Sequence, residues 1–211
     1  MQNYFDNRED ALLSEIVQNT NAHARFLNTL SFMELCGAKK LSQTIGRRYF
    51  STSMLEHVAE EYRHAYFLRR LANKISVSPI DDYSHENVFC KRQSRAYISD
   101  LDRRVSIALR HHQELHNPMM CYLLVTYAIE QRALSFYKLY QEMLDRHGTP
   151  ISVRSIISEE LDHFKEMEQK LNDTQLPTDI FNACSDIEAQ LFGLWVNGLA
   201  KELHCHRGNH P

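Results

Sequence analysis

Apolar residues return every three or four positions along almost the whole chain, the spacing that lays one stripe along one face of an α-helix. A first helix is expected at roughly 8–18, with a kink at Asn19-Thr20-Asn21 leading into a longer helix at about 21–46. The inward stripe of the longer helix reads Leu27, Leu30, Glu34, Gly37, Ala38, Leu41 and Ile45, and Gly46 stops it. Ser51-Thr52-Ser53 offers an N-cap for a helix at about 53–75, striped by Met54, His57, Val58, Glu61, His64, Ala65 and Leu68. Ser76 to Asn87 reads as a loop, followed by a more polar helix at about 92–113. His116-Asn117-Pro118 starts the next helix, because proline suits a first helical turn, and Gly148-Thr149-Pro150 ends it. Its stripe carries Leu123, Thr126, Tyr127, Glu130, Leu134 and Tyr137. A helix at about 151–172 bears Val153, Ile156, Glu160, His163 and Met167. A last one, about 178–203, is apolar enough (Phe181, Leu191, Phe192, Leu194, Trp195) to cover the others, with a frayed tail from His204.

The pattern therefore specifies an all-α chain, read as a single domain over residues 1–211. Six Gly and five Pro among 211 residues suit long helices better than a turn-rich β fold. The net charge of −3, without a basic stripe, argues against nucleic acid as the main partner. No apolar run reaches the roughly 20 residues that span a bilayer, so no membrane association is expected. The first residues show neither the basic nor the apolar region of a signal peptide. Cys36, Cys90, Cys121, Cys184 and Cys205 are odd in number, scattered and without a C-x-x-C. Reduced thiols and a cytoplasmic location are the expectation.

One feature of the stripes is not apolar. A helix with one inward Glu precedes a helix with inward Glu-x-x-His, and the unit occurs twice: Glu34 with Glu61 and His64, then Glu130 with Glu160 and His163. Residues at i and i+3 share a helical face, so a Glu oxygen and a His nitrogen can reach one ion. The 27 positions from Glu34 to Glu61 and the 30 from Glu130 to Glu160 suit antiparallel pairs that bring both residues to one height. Burying an unpaired carboxylate costs several kcal/mol or forces its protonation. Four facing one another are best explained by two divalent cations, and two hairpins joined by a long crossover (about 76–117) would close a four-helix bundle around them. Salt-bridged or surface glutamates that happen to align are the competing reading.

The segment Glu60-Glu61-Tyr62-Arg63-His64-Ala65 resembles the E-E-x-x-H-A of rubrerythrin-like and aldehyde-deformylating-oxygenase-like proteins, members of the ferritin-like di-iron superfamily. Ser158-Glu159-Glu160-Leu161-Asp162-His163 is similar to its second copy, and the resemblance covers a core of about 21–172. It implies a ferritin-like four-helix bundle with added helices. It also implies Glu34, Glu61, His64, Glu130, Glu160 and His163 as ligands, with Glu61 and Glu130 or their partners able to bridge. Two iron ions are the implied cofactor, manganese or a mixed pair being open. Ferritins proper usually carry one such histidine, and rubrerythrins usually add a C-x-x-C iron domain that this chain lacks.

Other residues are read from position. His57, one turn before Glu61, is an additional ligand, a residue that supports one, or a hydrogen-bonded core histidine. Tyr127, one turn before Glu130, packs or hydrogen-bonds a ligand carboxylate as a candidate catalytic group, and Tyr137 packs. Gly37 and Ala38 leave room for a substrate pocket walled by Leu30, Leu41 and Tyr127, or let two helices approach. Glu60 and Glu159, about 100° around their helices from the site, are expected in solvent or salt bridges. His111, His112, His116, His204 and His206 are expected at the surface. The expected function is a di-iron oxidase or oxygenase that uses O2 on a small, largely apolar organic molecule. An electron-donor protein such as a ferredoxin and a homodimer fit that expectation. A ferroxidase or peroxide scavenger, and a non-catalytic helical interaction module, are the alternatives.

Overall fold

The computed structural model describes residues 7–45, 51–110, 112, 117–174 and 176–205. Seven helices account for almost all of them: α1 (Asn7–Gln18), α2 (Thr20–Ile45), α3 (Thr52–Ile75), α4 (Lys91–Leu109), α5 (Pro118–Arg146), α6 (Arg154–Asn172) and α7 (Thr178–Cys205). There are no strands among the described residues. The expected kink is a break: Asn19 leaves the helix and its side-chain oxygen accepts from the Ala22 N–H at 3.0 Å, capping α2. Ser51 caps α3 by accepting from Met54 N–H at 3.2 Å, and Asn117 caps α5 by accepting from Met120 N–H at 2.9 Å. After α5 the chain turns at Gly148, whose φ of 60° costs a glycine little. Gly46, His111, His116 and His206 lie outside the described residues. Two boundaries differ from the sequence reading. The polar helix ends at Leu109 rather than about 113, and α7 runs through His204 to Cys205, with the His204 ring 3.4 Å from Glu15.

The helices pack in pairs, α2 along α3, α5 along α6 and α4 along α7. Short links make the first two pairs antiparallel hairpins, while α4 touches α2 and α5 and so joins them. The stripes explain the pairing. On α3 the buried residues are Met54, His57, Glu61, His64, Ala65, Leu68 and Ala72, and on α6 they are Ile156, Glu160, His163, Met167 and Leu171. Trp195 of α7 is 1% exposed and lies among Phe26, Phe136 and Phe192, while its indole N–H donates to Ser94 at 2.9 Å. Polar groups tie the pairs as well. Arg132 of α5 grips Glu188 of α7 through two bonds of 2.9 and 2.7 Å, and Tyr97 of α4 donates to the same carboxylate at 2.6 Å.

The connection between α3 and α4 is held by α2. Asn28 donates to the carbonyls of Asp82 (3.1 Å) and Asn87 (2.8 Å), and Thr29 accepts from Phe89 N–H at 2.8 Å. These α2 side chains are fully buried, and the Asn28 amide N–H groups and the Thr29 oxygen find their partners in loop backbone. No helix among the described residues is long and apolar enough to cross a membrane. All five cysteines are free.

Candidate metal centre

The two Glu-x-x-His units and the two single glutamates converge between α2, α3, α5 and α6. Two groups have ligand atoms mutually within 4.8 Å: Glu34, Glu61, His64 and Glu160, and His57, Glu61, Glu130 and His163. Each could hold a metal ion. The six residues singled out for their spacing all fall in these groups, together with His57. Glu61, His64, Glu130, Glu160, His163 and His57 are buried, while Glu34 is half-buried and lines the cavities described below.

Glu61 belongs to both groups. Glu160 also stands between them, with Oε1 3.1 Å from His64 Nδ1 and Oε2 3.7 Å from His163 Nδ1. Of the expected bridging candidates, Glu61 and Glu130 or their partners, Glu61 and Glu160 are the two that stand between the groups, one from each hairpin. Glu34 and Glu130 lie at the two ends.

The histidines are oriented from outside. His64 Nε2 is 2.7 Å from Glu159 of α6, and His163 Nε2 is 2.6 Å from Glu60 of α3. Each glutamate reaches across to the other hairpin, and Arg63 spans both carboxylates at 3.2 and 2.8 Å. Glu60 and Glu159 therefore do form the expected salt bridges. They also do what the sequence reading did not foresee, holding the outer nitrogen of each ring. An N–H spent on an outer carboxylate leaves the Nδ1 lone pair of the same ring aimed inward, the arrangement that fixes a metal-binding imidazole.

The apo cluster is electrostatically frustrated. Burial, and then the neighbouring Glu61 and Glu160, push the Glu34 carboxyl well above its ordinary value. Burial and Glu160 do the same to Glu130. Burial would raise Glu160 too, but close contact with Glu130, His163 and His64 outweighs it and holds Glu160 low. Burial lowers the two histidines, yet contact with Glu160 and the surrounding carboxylates wins, lifting His64 to about 10 and His163 to about 9. Without an ion, protons hold the carboxylates together.

The residues present fit a cation better than a proton. Among the buried atoms without a hydrogen-bond partner are His64 Nδ1, His163 Nδ1 and Glu130 Oε2, all facing the cluster. Two donors on one ion at about 2.0–2.2 Å each stand roughly 3–3.5 Å apart. These histidine nitrogens stand 3.1 to 3.8 Å from the carboxylate oxygens, from within that range to slightly beyond it. Mixed carboxylate and imidazole donors suit iron, manganese or zinc rather than a soft ion. Removing an outer carboxylate should loosen the ring it holds. Glu159→Ala and Glu60→Ala are each expected to weaken metal binding by about 10–100-fold without abolishing it. Equilibrium titration with Mn(II) or Fe(II) measures this, and unchanged affinity in both variants would contradict the role given to them.

Tyrosine and pocket assignments shift. Tyr137, assigned to packing from the sequence, donates its hydroxyl to Glu34 Oε1. Tyr127 lays its ring against Phe164 and Phe181, both 5.3 Å away. Gly37 borders a cavity of about 50 Å³ beside Glu34, Glu61 and Glu130, with Ile98, Val125 and Ile129 as apolar walls. A second cavity of about 70 Å³ shares Glu34, Ile98 and Ile129 with the first and runs on to Phe136 and Trp195. Of the three walls expected, Leu41 lines the first cavity and Leu30 the second; Tyr127 lines neither. Ala38 is fully buried and lines neither cavity, so the space belongs to Gly37 alone. A Cβ on Gly37 would already meet Ile98 Cδ1 at 3.4 Å. A partly exposed pair, Lys40 and Asp102 at 2.7 Å, lines the first cavity where α2 meets α4. His112, expected at the surface, is half-exposed and 4.0 Å from Asp179.

This chain matches no protein-family model, no curated protein and no solved structure.

Proposed function

We propose that this chain is a ferritin-like di-iron oxidase or oxygenase that uses O2 to oxidise a small, largely apolar organic molecule. The observation that carries this reading is the apolar cavity bordering Glu34, Glu61 and Glu130, next to buried His64 and His163 nitrogens that have no hydrogen-bond partner. Glu34, Glu61, His64, Glu130, Glu160 and His163 would hold two irons, whose bound pair supplies the electrons and open positions for O2 activation. The protein's own part is positional. Glu60, Glu159 and Arg63 orient the histidines, and the Tyr137 hydroxyl holds Glu34. Ile98, Val125 and Ile129 place an apolar molecule against the carboxylate cage and exclude water there. A ferroxidase would have no use for an apolar chamber beside its carboxylates.

Ile129 borders both cavities, so Ile129→Phe fills the space while every candidate ligand is kept. The di-ferrous protein is exposed to isotopically labelled O2 with toluene, indole or n-hexanol as apolar probes. Wild type is expected to yield labelled product from at least one probe. Ile129→Phe should keep its metal and consume O2, yet form less product by about tenfold or more. Ferric iron accumulating beyond the site's own complement, with no label in any probe, would replace this reading with the ferroxidase one.

A further inference from the structure

The two ligand groups are unequal, and the difference is His57. One holds three carboxylates and a single imidazole (Glu34, Glu61, Glu160, His64), while the other holds two carboxylates and two imidazoles (Glu61, Glu130, His57, His163). His57 lies on the same face of α3 as Glu61, one turn earlier, and is 4% exposed. Its Nε2 sits 3.2 Å from Glu61 Oε1 on its own helix and 3.0 Å from Glu130 Oε1 on α5. The other oxygen of Glu130 has no hydrogen-bond partner and lies 3.8 Å from the equally unpartnered Nδ1 of His163. The rings of His57 and His163 stack at 4.2 Å, so two imidazole nitrogens and both oxygens of Glu130 surround one small volume. A core histidine that merely satisfied itself would need one acceptor. This one turns a single nitrogen toward two carboxylates on different helices.

We infer that His57 is a third nitrogen ligand, which makes one metal position nitrogen-rich and the other carboxylate-rich, so that the two load stepwise and prefer different ions. This rests on the two-metal reading above and adds to it. Imidazole donors favour cobalt, zinc and iron, whereas a carboxylate-dominated set tolerates manganese. The position holding His57 and His163 therefore fills first with a nitrogen-preferring ion. The position holding Glu34 and His64 is left for a harder one. A protein offered one equivalent of cobalt and one of manganese takes up one of each, cobalt at the position holding His57 and His163.

Co(II) serves as the probe, since its spectrum reports coordination and its unpaired electrons shift the resonances of bound rings. Full-length protein labelled with nitrogen-15 histidine and loaded with two Co(II) should give three contact-shifted imidazole N–H signals. Metal-free wild type titrated with Co(II) should show two separate steps, and His57→Gln should weaken the tighter one by more than about 100-fold, beyond what loss of an orienting hydrogen bond causes. Wild-type protein that binds two Co(II) but shows only two shifted rings overturns the inference whatever the variant does. So does a His57→Gln protein that titrates like wild type. A wild-type protein that binds no Co(II) at all would instead remove the two-metal reading on which the inference stands.

Discussion

Glu61→Ala is expected to empty both metal positions at once. Glu61 is the residue common to the two ligand groups, and it comes from the middle of α3. A change at either end should act on one position. Glu34→Ala removes a ligand only from the group that contains His64, and Glu130→Ala only from the group that contains His163. Reconstitution with Fe(II) under anaerobic conditions, followed by metal analysis, should give about two irons per chain in wild type and about one in each end variant. Glu61→Ala should retain almost none. The fold should survive, because removing one of several mutually repelling buried carboxylates relieves the metal-free cluster. A Glu61→Ala protein that holds as much iron as the end variants would mean that the two groups do not share a bridge.

Stability of the metal-free protein is expected to fall as pH rises from about 5 to about 9, the opposite of what a protein held by paired carboxylates does. Glu34 and Glu130 are pushed up, first by burial and then by neighbouring carboxylates, so the folded chain keeps protons that the unfolded chain has released. Their contribution is whole below the ordinary carboxyl range and is lost as pH climbs through the raised folded values. His64 and His163 run the same way. Their folded values of about 10 and about 9 exceed the unfolded 6.5, so their contribution is whole below 6.5 and lost as pH approaches 9 to 10. Glu160, held low, acts in the other direction but only on acidification below the ordinary carboxyl range.

Bound metal replaces those protons, and its affinity increases with pH because the ligands must be deprotonated. In chelator the melting temperature should therefore drop by on the order of 5–10 °C between pH 6 and pH 8.5, while the metal-loaded protein shows no such drop. Glu130→Gln removes a carboxylate without its volume. It is expected to melt higher than wild type in chelator at pH 8.5 and to bind metal less tightly. If it melts lower there, the four-carboxylate core is not under electrostatic load.

The helices and the clustered glutamates are legible in the sequence, for a physical reason. The helices follow from apolar spacing, and the clustered glutamates interrupt apolar stripes, so their burial is dictated by their neighbours at i±3 and i±4. What escaped are contacts whose two halves lie far apart in sequence. Glu60 and Glu159 look solvent-facing on their own helices, and only the approach of the two hairpins brings them to His163 and His64, 103 and 95 positions away. Tyr137 bonds Glu34 across 103 positions, and the Arg132–Glu188–Tyr97 cluster joins three helices, with no local pattern to announce either. Gly37 and Ala38 are consecutive, hence about 100° apart around α2. That rotation is why one borders the cavity and the other is buried away from it.

The proposed chemistry requires two metal ions held close together by shared carboxylates. The most direct measurement is Mössbauer spectroscopy, with electron paramagnetic resonance, on protein loaded with Fe(II) and then oxidised. Two ferric ions held close together by the two groups that share Glu61 should couple antiferromagnetically. The expected result is a resonance-silent pair that accounts for nearly all the bound iron and is absent from Glu61→Ala. An isolated high-spin ferric signal from one iron per chain, unchanged in Glu61→Ala, would contradict it.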